Sequence, residues 1–484
     1  MRLEEISSLG SAATQLRLIR EDRVRGLLQF NDDHGDIGRF GFVFGDVVIV
    51  NAPEMVHDVL VTHASSFQKS PIMRSALFPL AGEGLFTSEG ELWRKQRKLM
   101  APLFKTSALG SFAADMTSCT ERSTATWTDG QVVDMSRETT RITMAIAGKT
   151  LFDTDTFDEA DELGEALTTA LQWAGDESGS GTLMAQARAS IGLDLLADRL
   201  SGGLEKLARQ ASLKLLKPIL WPSARTRDLK RAVAVLDDRV DRMIAERRAS
   251  AGGRHDLLSL LLSARDDEGR AMSDRQVRDE VLTLFVAGHE TTASGLAWAL
   301  MLLAQHPSIY RAVRAEVDAI GHIPTMQDLP KLDLSLRVFK ESLRMYPPVY
   351  MFGRVAVETV NVGKYELPKG TVVLLSPFAL QRRKEIWPNP DVFDPDRFKP
   401  EEEAKRHKSA FIPFSSGPRT CIGNHFALME GPLVLATILH RADVEMAEGA
   451  TVTPEAHATL RPKGMKMRVK LRPRIAANES TARA

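Results

Sequence analysis

Residues 274–304 form the longest run of helical periodicity in the chain, and that run sets the architecture the rest must adopt. Ser273-Asp-Arg-Gln276 fits a capping box at its start, and apolar positions recur to about Ala304. A helix of that length spans about 46 Å, enough to cross a molecule of this size. One face reads Val277, Val281, Leu284, Gly288, Thr291, Gly295, so its middle is small and polar where a core helix places bulk. The stripe has two readings: close helix–helix packing, which it favours when taken alone, or a gap left for a ligand.

Most of the remaining sequence is also helix-periodic. Strand-like stretches cluster at 40–50, with a glycine-aspartate turn, and at 354–375, with a turn-rich segment at 363–370. The expected fold is mainly α with a small β-rich region, the two clusters meeting in one sheet. Glycine-rich loops are expected at 174–181 and 250–254. Neither is long enough to separate domains, so 1–472 reads as a single domain and 473–484 as a disordered tail. Sixty-three basic residues balance sixty-three acidic ones, which argues against a nucleic-acid partner. Cys119 and Cys421, the only cysteines, rule out a disulfide framework and suit a reducing cytoplasm. Early acids exclude a signal peptide, and no apolar run reaches the length of a transmembrane anchor.

The second constraining feature is Phe414-Ser-Ser-Gly417-Pro-Arg419-Thr-Cys421-Ile-Gly423, followed by a helix over 424–440. A thiol where a glycine loop meets a helix N-terminus feels oriented N–H groups that favour the thiolate. The glycines allow close approach of backbone to a large flat ligand. Upstream lie Trp93 and Arg97, four apart on one helix face and able to bind carboxylates. Within the long helix stands Ala287-Gly-His-Glu290-Thr291-Thr292. Neighbouring helical residues point about 100° apart, so Glu290 and Thr291 cannot share a face, and Thr291 can bond back to the Ala287 carbonyl. His289 reads as a packed or solvated residue, and Cys119 as ordinary helix. Glu341-Ser-Leu-Arg344 and a later Arg397 complete the set.

Together and in this order, these motifs closely resemble those of the cytochromes P-450, over about residues 30–470. The resemblance implies the cytochrome P-450 fold and a haem b held by the Cys421 thiolate. It assigns Trp93, Arg97, Arg354 and Arg419 to the haem propionates, and Phe414, Gly417 and Gly423 to the ligand loop. Thr291 is implied to hydrogen-bond dioxygen and Glu290 to belong to the proton-delivery route. Glu341, Arg344 and Arg397 are implied to form a supporting network. The family often has His-Arg where this chain has Gln381-Arg382, a departure expected to weaken only a peripheral contact.

The implied activity is a monooxygenase inserting one oxygen atom of dioxygen into a C–H or C=C bond. By family position the substrate pocket draws on Ile72, Phe78, Phe86, Phe285, Ala287, Met351 and Phe352. That lining suits a hydrophobic small molecule: a fatty acid, terpenoid or polyketide. No Gly-x-Gly-x-x-Gly fingerprint of a fused reductase is seen, so electrons are expected from a ferredoxin or flavodoxin with its NAD(P)H-dependent reductase. Arg94, Lys95 and Lys98 are candidates to face that donor. Residues 182–221 are expected to form a mobile lid touching membrane or carrier-bound substrate. A peroxide-driven peroxygenase and a haem sensor are the alternatives, and the intact Glu290-Thr291 pair argues against both.

Overall fold

The computed structural model describes residues 1–8, 22–42, 45–249, 256–265 and 269–473. The expected loop at 250–254 and nearly all of the 473–484 tail lie outside these residues. The elements that position the site are, in chain order, α1 (Arg23–His34), β1 (Ile37–Phe42), β2 (Gly45–Val50), β3 (Phe67–Lys69), α2 (Pro71–Ala81) and α3 (Gly90–Met100). Then follow α4 (Met135–Phe152), α5 (Ala160–Glu177), α6 (Gly181–Ala197), α7 (Gly202–Lys214) and α8 (Ala224–Ala249). The last third holds α9 (Asp274–Gln305), α10 (Asp333–Met345), β4 (Phe352–Ala356), β5 (Val372–Leu375), α11 (Asn424–Arg441), β6 (Thr453–Ala456) and β7 (Leu460–Lys463).

The helical body is built around α9, which runs 32 residues. From Leu296 to Leu303 every side chain on it is buried, so this half is core on all sides. The Ser273 hydroxyl caps it by accepting from the Gln276 N–H at 3.2 Å. The second half of the expected capping box does not form. The Gln276 side chain instead reaches forward, its Nε2 donating to Glu280 Oε1 at 2.9 Å.

The two strand clusters do meet in one sheet, of order β1-β2-β5-β4-β3. Strands β2 and β5 pair in parallel from Val47–Val372 to Val50–Leu375, burying Val48, Val50, Val373 and Leu375. The expected glycine-aspartate turn is instead the first part of β2. Asp46 is drawn into the strand and pairs across it with Arg39 at 3.3 Å. The 174–181 loop is likewise much shorter than its composition suggests, since α5 runs to Glu177 and α6 starts at Gly181. Gly175 stays helical because α5 lies directly on the 457–458 backbone, where a β-carbon would collide.

Helices α9, α10 and α11 pack closely through two glycines. A β-carbon at Gly295 would lie 3.0 Å from Leu343 and 3.1 Å from Phe339, and one at Gly431 would overlap the Phe339 ring. Alanine at Gly431 gains up to about 1 kcal/mol in helix propensity, but overpacking of an immobile ring costs about 1–3 kcal/mol. Gly431→Ala is therefore expected to lower the thermal midpoint; an unchanged or raised midpoint would show that Phe339 can move aside.

Candidate active site

The middle of α9 and the cysteine loop line a single cavity of about 530 Å³. On α9 the lining residues include Leu284, Ala287, Gly288 and Thr291, which follow the i, i+3, i+4, i+7 spacing of one helix face. Both readings of the small-residue stripe therefore apply. Its middle opens onto the cavity, whereas Val277, Val281 and Gly295 pack into the core. Ile72, Phe86, Ala287, Met351 and Phe352 line the cavity as expected by position. Phe78 and Phe285 do not. Phe285 is rotated by one helical step from Leu284 and stacks on Phe152 of α4, with ring centroids 4.6 Å apart. The Phe78 ring instead lies under the Lys217 ammonium, 5.4 Å from its centroid.

The cysteine loop is closed by the Cys421 N–H, which donates to the Phe414 carbonyl at 2.8 Å. Gly417 has φ 68°, and a β-carbon there would strike the Leu60 carbonyl. Its glycine is thus required by protein packing, while a β-carbon at Gly423, with φ −93°, would meet Phe104 at 4.0 Å. Cys421 opens onto the cavity while lying deep inside the protein. Burial raises its thiol pKa, partly offset by the Gly423 N–H and the Arg97 charge. The loop and helix terminus alone therefore do not secure the thiolate as the sequence suggested; a metal cation at sulfur would.

Beside Cys421 is an excess of buried positive charge. Lys69, Arg354 and Arg419 line the cavity with Trp93 and Arg97, and Glu89 is the carboxylate among them. Glu89 accepts from the Lys69 N–H at 2.7 Å and also pairs with Arg419. The Lys69 ammonium donates to the Leu85 and Ser88 carbonyls, both at 2.8 Å. Burial first, and then its cationic neighbours, bring Lys69 down to about 7; burial and Arg419 lower Arg354 to about 10. Arg419 lies over the Trp93 ring at 4.3 Å, and its buried Nη1 has no hydrogen-bond partner. Cations held below their ordinary pKa, with an orphaned guanidinium N–H, fit the two propionates of a haem. Sequence reasoning gave Lys69 and Glu89 no role, because their partners in the cradle come from distant parts of the chain.

On the opposite chemistry, the Thr291 hydroxyl donates to the Ala287 carbonyl at 2.7 Å, the i−4 bond expected. Glu290 points away from Thr291. It is buried, its Oε1 accepting from the Thr459 hydroxyl at 3.0 Å. Thr459, which precedes β7, itself lines the cavity, so a hydroxyl from a distant hairpin joins the acid to the pocket. His289 is fully buried, its Nδ1 at 2.9 Å from the Phe285 carbonyl, and burial keeps it neutral. Cys119 is packed in a helix with its thiol pushed up to about 12. Glu430 of α11, fully buried beside Thr292, is also driven toward its neutral form by burial.

The supporting network is buried. Glu341 and Arg344 are fully buried and joined by two hydrogen bonds of 2.7 and 2.8 Å, with Arg397 3.5 Å from Glu341. Gln381 is more than peripheral. Its amide donates to the Leu343 and Arg344 carbonyls at 3.0 Å, and its oxygen accepts from the Ile412 N–H, also at 3.0 Å. It thereby links the end of α10 to the strand of chain entering the cysteine loop. A flexible amide does this because it carries donor and acceptor on one group.

A mainly helical body, a single thiol in an apolar cavity and a cradle of under-neutralised cations define a haem-thiolate protein. The chain belongs to the cytochrome P450 family, whose model matches residues 12–469. It is 35% identical to the cyclooctatin synthase of Streptomyces melanosporofaciens, covering 88% of this chain and 87% of that protein. It is 31% identical to the pentalenene oxygenase of Streptomyces avermitilis, covering 91% of each. The solved haem domain of cytochrome P450DA superposes with a TM-score of 0.80 at 27% identity, covering 97% of this chain and 98% of that one. The protein is a cytochrome P450 enzyme that binds haem through a cysteine thiolate. No helix among the described residues is long and apolar enough to cross a membrane.

Proposed function

We propose that this enzyme oxygenates a terpenoid-type hydrophobic small molecule, with Cys421 as the thiolate ligand and residues 1–472 acting as one catalytic unit. The observation carrying the reading is the cavity itself: apolar side chains of α2, α5, α6, β4 and β5 enclose space between Cys421 and Thr291. Relatives named for oxygenating cyclooctatin-type and pentalenene substrates support the terpenoid class. When bound, haem supplies the electron transfer and oxygen insertion, with thiolate donation favouring O–O cleavage. Its propionates would be held by Lys69, Trp93, Arg97, Arg354 and Arg419. Electrons would come from a ferredoxin or flavodoxin with its reductase, docking near Arg94 and Lys98, both exposed on α3.

The protein's own tasks are placement and protons. Ile72, Phe86, Met351 and Phe352 exclude water and orient an apolar substrate. The Glu290 carboxyl, whose Oε1 accepts from the Thr459 hydroxyl, is the proton-relay group, and Thr459 links it to the cavity that Thr291 lines. Thr291→Ala is expected to uncouple NADPH consumption from product, and Glu290→Gln to slow turnover about 10²-fold. Fully coupled turnover in Thr291→Ala with surrogate partners would remove the proton-placement role. A screen of terpenoids against fatty acids by haem spin-state shift tests the substrate class.

A further inference from the structure

Helix α6 meets the cavity through Met184, Ala187, Arg188 and Ile191. These positions follow the i, i+3, i+4, i+7 spacing of one helical stripe. Three are apolar, and the fourth places a guanidinium in the middle of that stripe. The stretch Met184-Ala-Gln-Ala-Arg188-Ala-Ser-Ile-Gly192 holds no acid, so the helix itself supplies no i,i+3 or i,i+4 partner. Arg188 is half-buried and forms no hydrogen bond or ion pair with the described residues.

The other charged residues lining the cavity are all engaged. Arg23 donates to the Gly175 carbonyl at 2.8 Å, Asp46 pairs with Arg39 at 3.3 Å, and His457 Nδ1 lies 3.2 Å from Asp176. Nor does Arg188 belong to the haem cradle. The charges acting on Lys69 are those of Glu89, Arg419, Arg354 and Arg74, and those acting on Arg354 are Arg419 and Glu89. Arg188 thus stands apart from the cations assigned to the propionates, on an otherwise apolar wall.

Such a group has a consequence for what the cavity accepts. A wholly apolar molecule filling the space would strip water from the guanidinium and offer nothing in return. A carboxylate would meet it with two parallel N–H···O bonds, the geometry to which arginine is best suited. We infer that Arg188 binds a carboxylate of the substrate, an apolar molecule with one acidic end rather than a plain hydrocarbon. The apolar remainder occupies the rest of the cavity, so the carbon to be oxygenated belongs to that remainder. The inference rests on the reading of this cavity as the substrate pocket, and it narrows the class of molecule taken there.

The test is titration of the full-length holoprotein by haem spin-state shift with two matched pairs. One is farnesoic acid and methyl farnesoate, the other dodecanoic acid and methyl dodecanoate. The acid is expected to bind about tenfold tighter than its ester, the low end of what a charge-assisted hydrogen bond gives at a half-buried site. The preference should weaken with added salt. Arg188→Gln should bring the acid down to the affinity of the ester and leave the ester unchanged. Arg188→Lys should keep most of the preference, and Arg188→Glu should reverse it. An unchanged carbon monoxide difference spectrum in the variants separates a lost contact from a lost fold. An Arg188-dependent preference in the dodecanoic pair alone would support the inference while removing the terpenoid class. Equal binding of acid and ester overturns the inference while leaving the pocket reading intact. So does a preference that persists in Arg188→Gln, or failure of both acids to bind.

Discussion

Cys421→Ser is expected to abolish turnover and to remove the thiolate-type absorbance of the reduced carbon monoxide complex. The other cysteine cannot substitute, since Cys119 is packed in a helix outside the cavity, where burial pushes its thiol up to about 12. A serine hydroxyl fits the same backbone, because the Cys421 N–H bond to Phe414 and the left-handed Gly417 turn make no use of sulfur. Fold and haem cradle should therefore survive while the electron-donating ligand is lost. Retention of the thiolate-type band in Cys421→Ser would require a different ligand and would sink the assignment. Haem titration of the variant separates the outcomes further: the cations of the cradle should still hold the group, with weaker affinity.

The second large effect is expected at Arg344. Replacing it with leucine removes both charge-assisted bonds to the Glu341 carboxylate in a site with no solvent access, leaving it Arg397 at 3.5 Å and the Asp394 N–H at 3.0 Å, and also unmakes the bond of 2.9 Å to the Gln381 carbonyl. Breaking a buried pair by removing one partner costs about 3–5 kcal/mol, against a total stability of about 5–15 kcal/mol. Arg344→Leu should lower the urea midpoint sharply and reduce the yield of haem-loaded protein. The double variant Glu341→Leu/Arg344→Leu should lose much less than the two single losses summed, since no uncompensated charge is left behind. A single variant with an unchanged midpoint would mean the network is not a source of stability.

Local features were legible because they are decided within a turn or two of chain. Helix α9 follows from its period, its start from Ser273, and the Thr291 bond to Ala287 from helical geometry. The meeting of β2 and β5 was legible as well, since two short β-rich runs in a helical chain have few other edges to pair with. Phe285 was misplaced because one helical step of about 100° separates cavity from core, and the packing of α4 decides which residue takes which side. The packing demand on Gly417 was not legible, because the carbonyl that crowds it belongs to a segment hundreds of residues away. Gln381 was undervalued because its three partners come from two distant segments.

From the sequence alone came the inventory of reactive groups: one thiol in a glycine loop, a threonine in a small-residue helix turn, and a carboxylate spaced to meet an arginine. Those depend on residue type and short spacing, which the backbone translates directly into geometry. The tertiary structure decided which of these groups share an environment. It set Lys69 and Arg354 against Arg419 with Glu89 among them, turned Glu290 toward Thr459, and left the leucines of α7 facing outward. Burial and electrostatic interaction depend on distance in space, and no local spacing encodes the approach of side chains separated by hundreds of residues.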